Sequence, residues 1–203
     1  MTNRRVESPE VRRGQIISAA RDLLIERGYG DVLLDDVAKR AGVAKGTVYL
    51  YFSDKPHLYG AVMESLLDDL AVRLDKAVGM RSDEPLLPVR AAVSEMLAFT
   101  DIYKDVFLAC GQARPDLSRK VNDTLRNRLD RHIDLLGSIL QTASKQKALR
   151  SHDAKTGGML MIALTRMFMM RKLFQAQSGP LSDATDEFMD LLLNGLGAKG
   201  KRV

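Results

Sequence analysis

Asp35-Asp36-Val37-Ala38-Lys39-Arg40-Ala41-Gly42-Val43-Ala44-Lys45-Gly46-Thr47-Val48-Tyr49-Leu50-Tyr51-Phe52 reads as two short helices hinged at a glycine. Val37, Ala38 and Ala41 form one apolar stripe at helical spacing, and Val48 and Phe52, with Ala44 on the same side, form a second. The stripes must face each other across a tight turn. Gly42 follows the last periodic residue of the first helix, where a left-handed residue ends a helix at little steric cost, and Val43 fills the corner.

The other face of the second helix gives the corner its chemistry. Gly46 and Leu50 lie opposite Val48, flanked by Thr47 and Tyr49, with Lys45 at the N-terminal end. A glycine inside a short exposed helix costs about 1 kcal/mol relative to alanine. Close approach of the helix backbone to a groove or a phosphate would account for it. Thr47 and Tyr49 supply hydroxyls, Lys45 a charge and Leu50 an apolar contact for a thymine methyl, so the pair implies a helix-turn-helix whose second helix enters a DNA major groove.

The run Asp36-Val37-Ala38, Ala41-Gly42-Val43, Lys45-Gly46-Thr47-Val48-Tyr49 and Tyr51-Phe52, closing with Asp54-Lys55 and Leu58, resembles the DNA-binding signature of the tetracycline-repressor (TetR) family of bacterial regulators. The likeness runs from about Gln15 to Leu58. Beyond it, only length and helical character agree. The resemblance implies that Lys45, Thr47 and Tyr49 meet bases and nearby backbone, and that Tyr51 and Lys55 meet phosphates. Leu33 and Ala44 depart from it, standing where the family usually places hydroxyl caps. Each lost cap should cost about 1 kcal/mol locally.

Composition is consistent with this. The 203 residues, 45% of them hydrophobic, suffice for a small DNA-binding head over residues 1–55 and a larger body over 56–203. A net charge of +5 and a pI near 9.4 suit a polyanionic partner. One cysteine, Cys110, rules out an internal disulfide framework and fits a reducing compartment. A polar N-terminus and the absence of a long apolar run predict a soluble cytoplasmic protein without a membrane partner.

Periodicity predicts an all-α fold. Helices are expected over Pro9 to Arg27, from Asp54 through Leu74, over Val89 to Phe99, over Lys104 to Gln112, from Pro115 to about Lys147, over Met159 to Phe174 and over Leu181 to Leu196. The helix from Met159 to Phe174 is apolar nearly all round and needs cover on most sides. Periodicity alone fits a buried central helix of a single chain equally well. A two-fold dimer doubles the DNA site, and this tips the reading toward a four-helix interface using Leu164, Phe168, Arg171, Phe188, Leu192 and Leu196.

The resemblance also implies an effector pocket in the body, for which Met96, Phe99, Tyr103, Phe107, Cys110, Met159, Ile162 and Met167 are the candidates; such a lining suits a largely apolar small molecule. Nothing points to catalysis, a metal or a cofactor. His57, His132 and His152 are isolated, no phosphate loop follows a strand, and Gly157-Gly158 reads as a close helix contact. The expectation is a dimeric, ligand-responsive DNA-binding regulator, most simply a repressor. An architectural DNA binder without effector response and a helical small-molecule carrier with a vestigial head are the alternatives.

Overall fold

The computed structural model describes residues 8–112, 115–175 and 178–195, with side chains throughout these ranges except for residues 109–124. The described residues are helical with no strand, in the order α1 (Pro9–Asp31), α2 (Leu34–Ala41), α3 (Lys45–Tyr51), α4 (Lys55–Val78), α5 (Leu87–Gln112), α6 (Pro115–Lys145), α7 (Ala154–Gln175), a short 3-10 turn (Leu181–Ala184) and α8 (Thr185–Asn194). The expected all-α architecture is present. Leu196 and the side chain of Cys110 lie outside the described residues.

Helix boundaries follow local chemistry. Pro9 opens α1 and the Ser8 hydroxyl accepts the Val11 N–H at 3.3 Å. Gly28, at φ 74 and ψ 170, interrupts α1 before a last turn to Asp31. Gly42 ends α2 in the left-handed region at φ 66 and ψ 32, with the Val43 N–H reaching back to the Ala38 carbonyl at 3.0 Å. The Asp54 carboxylate caps α4 by accepting the His57 N–H at 2.7 Å. Asp153 does the same for α7 through the Thr156 N–H at 2.8 Å.

Two sequence expectations change. The helices expected on either side of Thr100 are one continuous α5. The interval holds no glycine or proline, and its most polar member is satisfied: Asp101 accepts the Lys172 ammonium at 2.5 Å and the Leu181 N–H at 3.1 Å. Conversely, the helix expected over Leu181 to Leu196 begins as a 3-10 turn, in which the Thr185 hydroxyl donates to the Ser182 carbonyl at 2.6 Å.

The chain divides into two compact units, Met1–Leu66 with Asp105–Leu125, and Leu67–Lys104 with Arg126–Val203. The division falls within α4 rather than at residue 55. In the first unit Ile16, Leu23, Val37, Val48, Phe52 and Val62 are fully or almost fully buried. At about 1.5–3 kcal/mol per large side chain, these hold α1 to α4 together. In the second, Leu74, Val93, Leu97, Leu136, Met161 and Phe168 form the core. There α6 and α7 cross backbone to backbone: a Cβ on Gly158 would fall inside contact distance of the Ile133 carbonyl, and one on Gly137 would meet the Ala154 carbonyl. The close helix contact expected at Gly157-Gly158 is realised. No helix among the described residues is long and apolar enough to cross a membrane.

Candidate nucleic-acid interface

Anchored by buried Val48 and Phe52, α3 turns Lys45, Gly46, Tyr49 and Leu50 to solvent, with Thr47 and Tyr51 half-buried beside them. Leu50 is 85% exposed, which no packing requirement of this chain explains. A Cβ on Gly46 would meet nothing within 4 Å, so the glycine is not demanded from inside the chain either. Neither Ala44 nor Leu33 makes a side-chain cap. Part of the loss at Leu33 is made good by Asp36, whose carboxylate accepts the Leu33 N–H at 3.4 Å.

The cations around this face are engaged. Lys45 Nζ donates to Asp35 Oδ2 at 2.9 Å and stands 5.9 Å from the centre of the Tyr49 ring. Its bond to Asp35 raises the Lys45 pKa. Arg40 binds Glu26 through both of its terminal nitrogens, at 2.9 and 2.7 Å, fastening α2 to α1. Lys55, expected to meet a phosphate, is engaged within the chain. Its ammonium donates to the Gly30 carbonyl at 3.2 Å and covers the Tyr29 ring at 4.4 Å, and burial lowers its pKa. Sequence reasoning missed Asp35 and Tyr29 as parts of this face. Tyr29 follows the out-of-register Gly28, and Asp35 is ten positions from Lys45, so helical periodicity links neither to its partner.

The expected effector and interface residues separate. Within the second unit, Met96 and Phe99 are buried, Tyr103 is half-buried with its ring 4.6 Å from that of Phe99, and Ile162 is half-buried on α7. Phe107 belongs to the first unit. Met159 and Met167, expected in the pocket lining, are instead 54% and 42% exposed, because they occupy the outer stripe of α7. Phe168 and Phe188, expected to face a second chain, are fully buried within this one and stacked at 5.5 Å, so they offer no surface to a partner. Arg171 lies over Phe168 and binds Glu187 at 2.5 and 2.8 Å. Leu164 and Leu192 are half-buried. The histidines sit in three settings: His57 edge-on to Phe52, His132 buried and donating to the Leu67 carbonyl at 2.8 Å, and His152 against Gly157. Burial lowers the His132 pKa.

Residues 16–62 match the family model described as bacterial regulatory proteins, tetR family. Over 158 residues the chain is 28% identical to the HTH-type transcriptional activator FasR of Mycolicibacterium smegmatis, covering 76% of this chain and 68% of that one. Its fold is similar to that of FadR from Bacillus subtilis, solved with stearoyl-CoA, at a TM-score of 0.72 and 20% identity over 91% of this chain and 99% of that one. It is likewise similar to Thermus thermophilus FadR, described as a TetR-family repressor in complex with lauroyl-CoA, at a TM-score of 0.66 and 22% identity over 94% and 98% of the two chains. At these identities the two structures establish shared fold alone.

Proposed function

We propose, from the match of residues 16–62 to the model of the tetR family of bacterial regulatory proteins, that this chain is a cytoplasmic repressor that binds an inverted-repeat operator as a homodimer and releases it when a small molecule with a largely apolar part enters the body. The observation that carries the DNA reading is the outer face of α3, where exposed Gly46 and Leu50 serve no packing need of the described residues and stand beside exposed Lys45 and Tyr49. Thr47 and Tyr51 complete the contact set. Lys55 joins it only by exchanging its Gly30 carbonyl for a phosphate.

The dimer reading rests on the outer stripe of α7. Met159, Leu160, Met167 and Phe174 are exposed at helical spacing, Phe174 to 81%, with Leu193 of α8 also exposed. A surface of that kind invites a partner, and a second copy supplies the two-fold symmetry that an inverted repeat requires. Leu164, Arg171 and Leu192 border it. Sedimentation of the wild type against Phe174→Asp and Met167→Asp tests this: the wild type should be a dimer at micromolar concentration and the variants folded monomers. A monomeric wild type refutes the dimer.

For the effector, a fatty acyl-CoA is the favoured class, since two similar structures are described in complex with stearoyl-CoA and lauroyl-CoA. Met96, Phe99, Tyr103 and Ile162 remain the apolar lining candidates for its acyl chain. Footprinting with and without lauroyl-CoA, stearoyl-CoA and free CoA tests the whole reading. The expected outcome is a protected inverted repeat with half-sites one helical turn or a multiple apart, lost on adding an acyl-CoA. A 100-fold loss of operator affinity requires about 2.7 kcal/mol of differential binding, and operator DNA must then weaken the acyl-CoA by the same factor. Calorimetry that gives one affinity with and without DNA removes the effector role for that compound.

A further inference from the structure

A carboxylate from the first turn of α2 is paired with a lysine of the face that is to meet a polyanion. Lys45 Nζ lies 2.9 Å from Asp35 Oδ2, with the two side chains 61% and 44% exposed. The same ammonium is placed over the Tyr49 ring. An exposed pair of this kind contributes about 0–1 kcal/mol to a fold. Close to phosphates, its carboxylate works against binding to every sequence. Fold stability is therefore a weak reason for its presence.

We propose that Asp35 is a specificity-determining residue, holding Lys45 against Tyr49 for use at base edges and withholding it from the phosphate backbone. This rests on the reading of α3 as the recognition helix. Non-specific binding is almost wholly phosphate neutralisation with counterion release. A lysine already neutralised by its own carboxylate adds little to that term. At a base edge the balance differs, because lysine donates to guanine O6 and N7 within a fixed geometry. A side chain held between a carboxylate and a ring has already lost much of its rotamer freedom, so less ordering remains to be done on binding. The pair thus lowers affinity for arbitrary duplex more than for the cognate one.

The test uses the full-length protein, a duplex it selects from a randomised pool and a scrambled duplex of the same composition, titrated across a salt series. Asp35→Asn should steepen the salt dependence on scrambled duplex by about 0.9 per head and tighten binding to it about eightfold per head at 0.1 M salt, roughly 60-fold for a dimer that engages both heads, since one further phosphate is neutralised by each. Affinity for the selected duplex should rise far less, so the ratio between the two falls. In a Lys45→Met background the same substitution should lose most of this effect, which separates action through Lys45 from bulk charge. Thermal unfolding verifies that each variant is folded, and Asp35→Ser replaces Asn if it is not. An unchanged ratio, or the full effect persisting without Lys45, overturns the assignment. A wild type that binds selected and scrambled duplex alike defeats the regulator reading itself, and the role of Asp35 with it.

Discussion

Replacing Gly46 by alanine adds one methyl to the exposed face of α3, at a point where the chain places nothing within 4 Å of it. Gly46 is not among the positive-φ glycines, so its backbone suits alanine. In a helix interior alanine is favoured over glycine by about 0.8–1.0 kcal/mol, which is an upper bound for Gly46 in the first turn of α3. For a chain of this size a gain up to that bound should raise the unfolding midpoint by at most about 2–4 °C. On DNA the same methyl stands where the helix backbone is to approach the groove. Overpacking of a close contact costs about 1–3 kcal/mol, which is roughly 5- to 150-fold in affinity. The variant should thus be more stable and bind less well, a combination that general damage cannot produce. Calorimetric unfolding and fluorescence anisotropy on the selected duplex measure the two halves. If Gly46→Ala binds as tightly as wild type, the backbone of α3 does not approach DNA at this point and the reading of the glycine is wrong.

Three further outcomes follow from other parts of the chain. Gly158→Ala forces a methyl against the Ile133 carbonyl, where backbone rather than a side-chain end must yield, and should destabilise by about 1–3 kcal/mol in thermal or urea unfolding; a neutral result would mean that α6 and α7 separate freely. Burial tends to push the Asp101 carboxyl up, but the Lys172 ammonium and the Leu181 N–H outweigh it and hold its pKa below the usual value. A depressed folded-state pKa stabilises above the unfolded carboxylate range and is lost as pH falls through the folded value, so the stability gap between wild type and Asp101→Asn should shrink as unfolding is measured from pH 7 toward pH 3; a constant gap contradicts the pairing. Thr47→Ala should alter preference among operator variants by about 1–3 kcal/mol. Equal weakening on every duplex would deny it a base contact.

The helix-turn-helix was legible because a short local pattern determines it. Val37, Ala38, Val48 and Phe52 are all buried as their spacing requires, and Gly42 adopts the left-handed conformation its position calls for. The body was less legible, because hydrophobic periodicity reports burial without saying what does the burying. Phe168 and Phe188 read as interface residues and instead bury each other. Met159 and Met167 read as pocket lining and lie outside, since a helix apolar on all sides gives no rotational reference. The unbroken α5 escaped notice for a related reason: Asp101 looks like a solvent residue until Lys172, far along the chain, is beside it. Charge pairing was the least visible. Nothing in sequence spacing joins Lys55 to Gly30 and Tyr29, or Arg40 to Glu26.

At Gly28 the backbone takes a conformation that residues with side chains essentially avoid. The turn it makes leaves Tyr29 under the Lys55 ammonium and the Gly30 carbonyl within its reach. One positive charge of the head is thereby sheathed, as if a pin of a plug were retracted, and a phosphate must win it from a ring and a carbonyl before using it. If Lys55 meets DNA as proposed, the strength of the head's grip on DNA of any sequence depends on a bend in the first helix, outside the residues proposed to read the bases. Two proteins of this kind with identical recognition helices would differ in grip if only one carried the bend.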